Sequence, residues 1–467
     1  MARGSSKPEA VAVLDVGKTN VKLLAVAPDG KILSSRSAPN AVRWGEPYPH
    51  CDTEHIWRWM MAALADLGEA FAIAAIVPTG YGSTAALVAG DELVLPIMDY
   101  EAEPPRDIAA AYAEVAPWFE ECCCPIHPAG LTLARQLFWQ SRAFPEHFRR
   151  ARWILPFAQY WSWGLCGVPA SEVTSLGAQT QLWNPRERDL STLAKNEGWD
   201  ELLPPLRYAW ETLGTLQLEV AEDARCRRGP RCCAASMTAA PTMPAISPPA
   251  RRLHPDLDRH VAHHLQYRPA AGRPDPLRDT VSNTDLLGRA VACARFMGGR
   301  EHALVAGQDH ARPDIADVEA LIAAGTVALP SFTDSGGPYP ESGGRGLIAG
   351  PQPGSARARA ALASLYVALM ASASLDLLRS TNRLIVDGGF VDDPLLAPLL
   401  AALRPHQPVA LSGQREGTAI GAALLWRWQE REGPVPLDLK EVAAPEVAGL
   451  AAYAARWREA AGAIGQV

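Results

Sequence analysis

The chain has 467 residues, too many for one ordinary core and suited to two domains of about 200 residues each. Its 48% hydrophobic and 20% charged residues describe a globular chain rather than a disordered one. A formal net charge of -7 without a sustained basic run excludes nucleic acid as the expected partner. A phosphate-bearing ligand is still allowed, because backbone N–H groups and a metal ion can hold one.

No run of about 18 uninterrupted apolar residues is present, so no membrane partner is expected. Met1 to Ala10 lacks the apolar core of a signal peptide, and a cytoplasmic protein is expected. Of the nine cysteines, Cys122, Cys123 and Cys124 are adjacent, which suits neither an unstrained disulfide nor a tetrahedral zinc site. Cys232 and Cys233 also lack CxxC spacing, so all are read as reduced bystanders.

In chain order, Val11 to Leu14 predicts a strand that ends in Asp15-Val16-Gly17-Lys18-Thr19-Asn20. Val21 to Val26 predicts a second strand, and Pro28-Asp29-Gly30-Lys31 a turn into a third at Ile32 and Leu33. Asp52 or Thr53 can cap a helix whose Ile56, Trp59, Met60 and Leu64 share one face. Phe71 to Val77 reads as a buried strand before Thr79-Gly80-Tyr81-Gly82-Ser83, and Leu93 to Met98 as another before Asp99-Tyr100. Helices are predicted over Leu131 to Arg142 and Ala158 to Leu165.

Later in the chain, Ala356 to Leu378 predicts a long alanine-rich helix. Arg383 to Asp387 predicts a strand into Gly388-Gly389, and Pro394 to Leu403 a helix. Gly417 to Ala423 opens what reads as the last buried helix, its small residues allowing close backbone approach. Two blocks of alternating strands and helices indicate an α/β fold.

Two segments carry chemistry. In Asp15 to Lys22, a glycine in a tight turn leaves room for phosphate, and turn amides and the Thr19 hydroxyl can donate to it. Asp15 suits Mg²⁺, and Lys18 or Lys22 can offset phosphate charge. In Asp387-Gly388-Gly389-Phe390, paired glycines after a strand let a base and ribose lie against the backbone. Either segment alone also reads as an ordinary polar turn.

Taken together, the motifs resemble those of the FGGY carbohydrate kinases. Asp15–Lys22 is similar to that family's phosphate-binding motif, with Gly17, Lys18, Thr19, Asn20 and Lys22 as phosphate residues. Thr79-Gly80-Tyr81-Gly82 resembles its sugar-contacting loop, with Tyr81 where many members have His. Ala170 to Gly177, followed by Leu182-Trp183-Asn184, resembles the stretch closing the sugar side. Asp387-Gly388-Gly389 and Gly417 to Ala423 resemble its adenosine-binding motifs. The resemblance covers most of residues 11–225 and 278–430, and the L-rhamnulose and L-fuculose kinases are the nearest members. It implies an actin-like ATPase (ribonuclease H-like) fold, with two related domains flanking a nucleotide cleft. It also implies ATP and Mg²⁺ as cofactors, a small sugar as substrate, Asp15 at the metal, Tyr81, Asp99 and Glu172 at the sugar, and Gly388 and Gly389 at the nucleotide.

The resemblance breaks between about Arg225 and Leu277, where the family carries a His-Asp-Ser motif with the catalytic base and then Ser-Thr-Gly-Thr-Trp. A loop insertion is one explanation, and a shifted reading frame is another. Joining the last base of each codon to the first two of the next, the codons from Arg231 onward can spell Val-Leu-Cys-Gly-Ile-His-Asp-Ser, and Met237 followed by Thr238 forces Asp. The other shifted frame lets His254 to Ala262 spell Thr-Leu-Ile-Ser-Thr-Gly-Thr-Trp. The expected domains are therefore 1–220 (phosphate and sugar), an aberrant 221–280, and 281–467 (adenosine). The base is lost near Met237, and Gln308-Asp309-His310 reads as a surface loop, not a substitute. A second reading stays open, a catalytically impaired relative that binds nucleotide or sugar; a third, another actin-like ATPase such as an acetate kinase or an Hsp70-type chaperone, is disfavoured by the loop at Thr79–Ser83 and the stretch at Ser171–Asn184. The oligomeric state is open too, a homodimer included.

Overall fold

The computed structural model describes residues 7–225, 230–234, 236–237, 274–308, 311–334, 337–413, 416–430 and 438–464. Contacts divide the chain into two units: Met1–Leu265 with Ser282–Val291 and Glu416–Pro436, and Gln266–Val281 with Ala292–Arg415 and Leu437–Val467.

The first unit is built on a seven-stranded mixed sheet. Strands β1 (Glu9–Val16), β2 (Asn20–Val26) and β3 (Ile32–Pro39) form the expected antiparallel meander. Helix α1 (Thr53–Ala70) starts where Asp52 accepts a hydrogen bond from the His55 N–H at 3.1 Å. It returns the chain to β4 (Ala72–Gly80), which pairs parallel with β1. Helix α2 (Phe157–Cys166) packs on β4, and β5 (Thr212–Thr215), β6 (Arg231–Cys233) and β7 (Ser236–Met237) complete the sheet.

The near-continuous apolar run of β1 follows from burial on both faces. Ala10, Ala12, Leu14 and Val16 join the core beneath α1 and α2, while Val11 and Val13 join a second core with Ala419, Ala422 and Ala423. The latter three belong to the Gly417–Leu425 helix, so that helix serves the first unit, not the C-terminal domain in which its place in the sequence puts it. Its small residues bring it against the sheet: Ile420 lies 3.4 Å from the position of a Cβ on Gly30.

Two further expectations need correction. Leu93 to Met98 is not a strand: only Glu92–Leu93 pairs, with Ala85–Ala89, and Met98 makes an isolated bridge to His50. Pro96 has no N–H to give a ladder, so the segment is buried with scattered backbone bonds, such as Val94 N–H to the Leu87 carbonyl at 2.9 Å, instead of continuous pairing. The stretch 221–280 is divided between the units: its part up to Leu265 belongs to the first, and the second begins within it at Gln266. β6 and β7 both pair parallel with β4 in the first unit's sheet. Cysteine packs as a small hydrophobe, so Cys232 and Cys233 fill the two opposite cores. The codons read as Ser-Thr-Gly-Thr-Trp fall outside the described residues.

In the second unit the Ala356–Leu377 helix is the core element, with Leu362, Leu365, Tyr366, Leu369 and Met370 buried. It is long and apolar enough to cross a membrane, yet 72% of its most apolar window is buried inside the protein, as befits a core helix. Helices Gly298–Ala306, Ile315–Ala324 and Leu396–Leu403 surround it. Leu384–Val386 pairs parallel with Val409–Ser412, which pairs antiparallel with Leu439–Val442. A further helix, Leu450–Ala463, follows the one expected to be last and is anchored by Trp457 Nε1 donating to the Ala328 carbonyl at 2.7 Å.

Candidate active site

The turn between β1 and β2 is closed by the Gly17 N–H donating to the Asn20 carbonyl at 2.9 Å. A Cβ on Gly17 would lie 2.9 Å from that oxygen, so only glycine fits. Asn40 braces the turn from β3's end, its Nδ2 donating to the Gly17 carbonyl at 2.7 Å and its N–H to the Thr19 carbonyl at 2.9 Å. Thr19 and Asn20 are exposed at the tip, where a phosphate would meet them.

Asp15 stands at the end of β1. Its Oδ1 is buried and has no hydrogen-bond partner. Burial pushes its pKa up to about 6; Lys22 opposes that rise and Glu416 adds to it. A buried carboxylate oxygen without a donor fits a hard cation, which takes oxygen ligands. Lys22 itself is paired: its Nζ lies 2.7 and 3.0 Å from the carboxylate oxygens of Glu416. Glu416 was not singled out in the sequence. Its one signal is its place immediately before Gly417, a motif read for other reasons.

Lys18 turns away from the tip. Its Nζ donates to both carboxylate oxygens of Asp99, 2.6 Å from Oδ1, and lies 3.3 Å from Glu101 Oε2. It also sits 4.6 Å from the centre of the Tyr100 ring. Burial works against the Lys18 charge, but Asp99 and Glu101 outweigh it and hold the pKa above the ordinary value. Tyr81 stacks on Phe157 at 4.5 Å and meets Tyr100 edge-on at 5.1 Å. Burial raises the Tyr81 pKa well above that of a free phenol. The structure thus gathers Lys18, Tyr81 and Asp99 in one place. Gln136 fixes the loop beside them, donating from Nε2 to the Ser83 carbonyl at 2.6 Å while its Oε1 accepts from Thr84 Oγ1 at 3.0 Å.

Glu172 behaves differently. It is fully buried and caps the short helix Val173–Leu176, accepting from the N–H groups of Thr174 at 3.0 Å and Ser175 at 3.1 Å and from the Thr174 hydroxyl at 2.5 Å. Burial raises its pKa to about 7 against those hydrogen bonds. This geometry makes Glu172 part of the frame of the Ala170–Gly177 stretch.

Strand register locates the position near Met237. Asp15 pairs with Thr79 and Val16 with Gly80. Ser236 pairs with Thr79 and Met237 with Gly80 from the other side of β4. Residue 237 therefore ends a parallel strand two places from Asp15's, about 10 Å across the sheet. No second carboxylate occupies these register positions. Asp309 and His310 lie outside the described residues.

In the second unit, Asp387 Oδ1 accepts from the Gly388 N–H at 2.8 Å and opens the short helix Gly388–Asp392. Gly388 has φ +70°, and both glycines face open space. A flat group can therefore approach this backbone closely.

Comparison with known proteins agrees with this layout. Residues 261–434 match the family described as "Carbohydrate kinase FGGY, C-terminal domain". That match begins inside the 225–277 stretch, so the likeness reaches nearer the N-terminus than the motifs implied. A glycerol kinase of Aromatoleum aromaticum is 32% identical over 174 residues, covering 31% of this chain and 33% of that protein. The chain spans a third or less of the length of the curated relatives it matches. The solved structure of a carbohydrate kinase from Novosphingobium aromaticivorans has a TM-score of 0.85 and 29% identity, covering 99% of this chain and 100% of that one. Plasmodium falciparum glycerol kinase with ADP has a TM-score of 0.75 at 12% identity, over 98% of each chain. The architecture is the actin-like ATPase fold of the sugar kinases. Residues 261–434 thus match an FGGY carbohydrate kinase C-terminal domain, and the chain as a whole is similar to solved carbohydrate kinases.

Proposed function

We propose that this chain binds Mg-ATP and phosphorylates a hydroxyl of a small sugar, a ketose such as L-rhamnulose, L-fuculose or a pentulose. The observation that carries the reading is the buried, unpartnered Oδ1 of Asp15 beside a turn that only glycine can make. Asp15 would hold the magnesium ion, which when bound offsets phosphate charge. The turn amides of Gly17 to Asn20 and the Thr19 hydroxyl would donate to phosphate oxygens, with Lys22 adding positive charge beside them. Tyr81 and Asp99 would meet the sugar, with Lys18 donating to the Asp99 carboxylate. Gly388 and Gly389 would take the adenosine. A cytoplasmic setting and a homodimer belong to this reading.

Phosphoryl transfer also needs a group to take the hydroxyl proton. The pairing of residue 237 with Gly80 supports assigning that role to position 237, where the chain has Met. This favours a second reading, a relative that binds Mg-ATP and sugar with little turnover. A coupled ADP-release assay over a panel of ketoses separates the two. Sugar-dependent turnover supports the kinase, and Mg-ATP binding without turnover supports the impaired relative. Turnover independent of any sugar, or no Mg-ATP binding at all, counts against both.

A further inference from the structure

Cys166 is the last residue of α2 and is half-buried. Cys232 lies in the middle of β6 and is buried in the core that α2 covers. In the β5–β6 ladder, Gly214 is the residue opposite Cys232. A Cβ on Gly214 would stand 3.7 Å from the Cβ of Cys166. Side chains directly opposite in an antiparallel pair share a face, with Cβ atoms about 4.5–5.5 Å apart. Cys166 thus sits over the Gly214–Cys232 pair, in room left by the missing glycine side chain, which places the two cysteines next to each other over one face of the sheet. Disulfides need Cβ atoms about 3.5–4.5 Å apart, and the open place over Gly214 leaves Cys166 room to approach Cys232.

We propose that Cys166 and Cys232 form a reversible redox pair, oxidised to a disulfide by a low-molecular-weight disulfide such as glutathione disulfide. The two sulfurs are suited to different roles. The neighbouring Cys232 thiol favours the Cys166 thiolate, burial opposes it, and the Val168 N–H adds support, so its pKa falls below the ordinary thiol value. The proton stays with Cys232, whose pKa is raised by Cys166 in turn. By contrast, burial pushes the Cys51 and Cys233 thiols up to about 12, as expected of inert core cysteines.

The exchange balances. The Cys166 thiolate attacks one sulfur of the small disulfide, forming a mixed disulfide and releasing one thiolate. Cys232 gives up its proton, and its sulfur attacks Cys166 Sγ, breaking the mixed disulfide and releasing the second thiolate. The protein loses two protons and two electrons, and the small disulfide becomes two thiols. The bond ties the end of α2, whose first residue Phe157 carries Tyr81, to the strand that leads into β7. The inference is independent of the sugar kinase reading, because it concerns only how two thiols are placed.

The test uses the full chain, equilibrated with glutathione disulfide and glutathione at several ratios, then alkylated, digested without reductant and mapped by mass spectrometry. The expected result is one cross-linked peptide pair joining Cys166 to Cys232, lighter than the two thiol forms by about 2 Da. It should revert with dithiothreitol and be absent from Cys166→Ser, while Cys51→Ser retains it. In the native reduced protein, iodoacetamide should label Cys166 before Cys51 or Cys233. A mixed disulfide that stops at Cys166 with Cys232 still alkylatable overturns the proposal. So does a bond from Cys232 to any other cysteine, or two free thiols at every ratio.

Discussion

Lys18 Nζ lies 2.6 Å from Asp99 Oδ1, so a residue expected at the phosphates and one expected at the sugar hold each other. Asp99 also accepts from the Glu101 N–H at 2.7 Å, which fixes the carboxylate from a second side. The pair places the cation of the N-terminal turn at the mouth of the Tyr81 loop.

A double-mutant cycle measures that link. Lys18→Met and Asp99→Asn should each lower stability, and together they should cost less than the sum. A coupling on the order of 1–2 kcal/mol is expected for a pair this poorly exposed, read from urea unfolding of the four proteins. Strict additivity would mean that the contact does not organise the site.

Asp15 sets a pH dependence whose sign is fixed by its raised pKa. The folded value, about 6, exceeds the ordinary value of 3.8, so folding favours the protonated form. That advantage is complete below about pH 3.8 and is lost as pH rises through 6. Without metal, Asp15→Asn should therefore be more stable than the parent at pH 8, by on the order of 2 kcal/mol, and equal to it at pH 4. Mg-ATP should stabilise the parent at pH 8 and progressively less below pH 6, and should do little for Asp15→Asn. Thermal melts across this range check both signs.

Met237→Asp restores a carboxylate at the end of the strand beside Gly80. Sugar-dependent ADP release should rise by at least about 10-fold over the parent, the low end of what a general base contributes. A folded, Mg-ATP-binding Met237→Asp protein with no gain would remove residue 237 from the mechanism. Sequencing the gene over residues 220–285 and assaying a frame-corrected chain address the same point from the other side.

Glu172→Ala strips the cap from Val173–Leu176 and leaves two buried N–H groups unpaired. The expected loss is about 1–2 kcal/mol of stability. Gly177→Ala should cost at least as much, because a Cβ there would overlap the Thr284 side chain, which is held by its hydrogen bond to the Val173 carbonyl at 2.8 Å. Chemical denaturation reads both, and a sugar KM unchanged in Glu172→Gln would separate support from contact.

Local chemistry made much of this legible in the sequence. The Asp15–Asn20 turn is legible because one glycine in a short strand–strand link has a single geometric purpose. The α1 start is legible because Asp52 precedes a helical stripe. What stayed hidden depends on partners far along the chain. Glu416 meets Lys22 across 394 positions, and nothing near either residue announces the other. Leu93–Met98 has a strand's hydrophobicity, but Pro96 withholds a donor that only a neighbouring strand would have asked for. The Cys232-Cys233 strand has no periodicity, since both faces of its sheet are covered.

The return of Glu416–Pro436 to the first unit has a consequence for synthesis on the ribosome. One wall of the β1 sheet is supplied by Ala419, Ala422 and Ala423, which emerge long after the strands they cover. Until then Val11, Val13 and Val77 lack that part of their cover, and the nascent N-terminal half carries an incompletely covered greasy plane that chaperones would recognise. A premature stop anywhere before codon 416 would therefore damage both halves of the product, not the distal one alone.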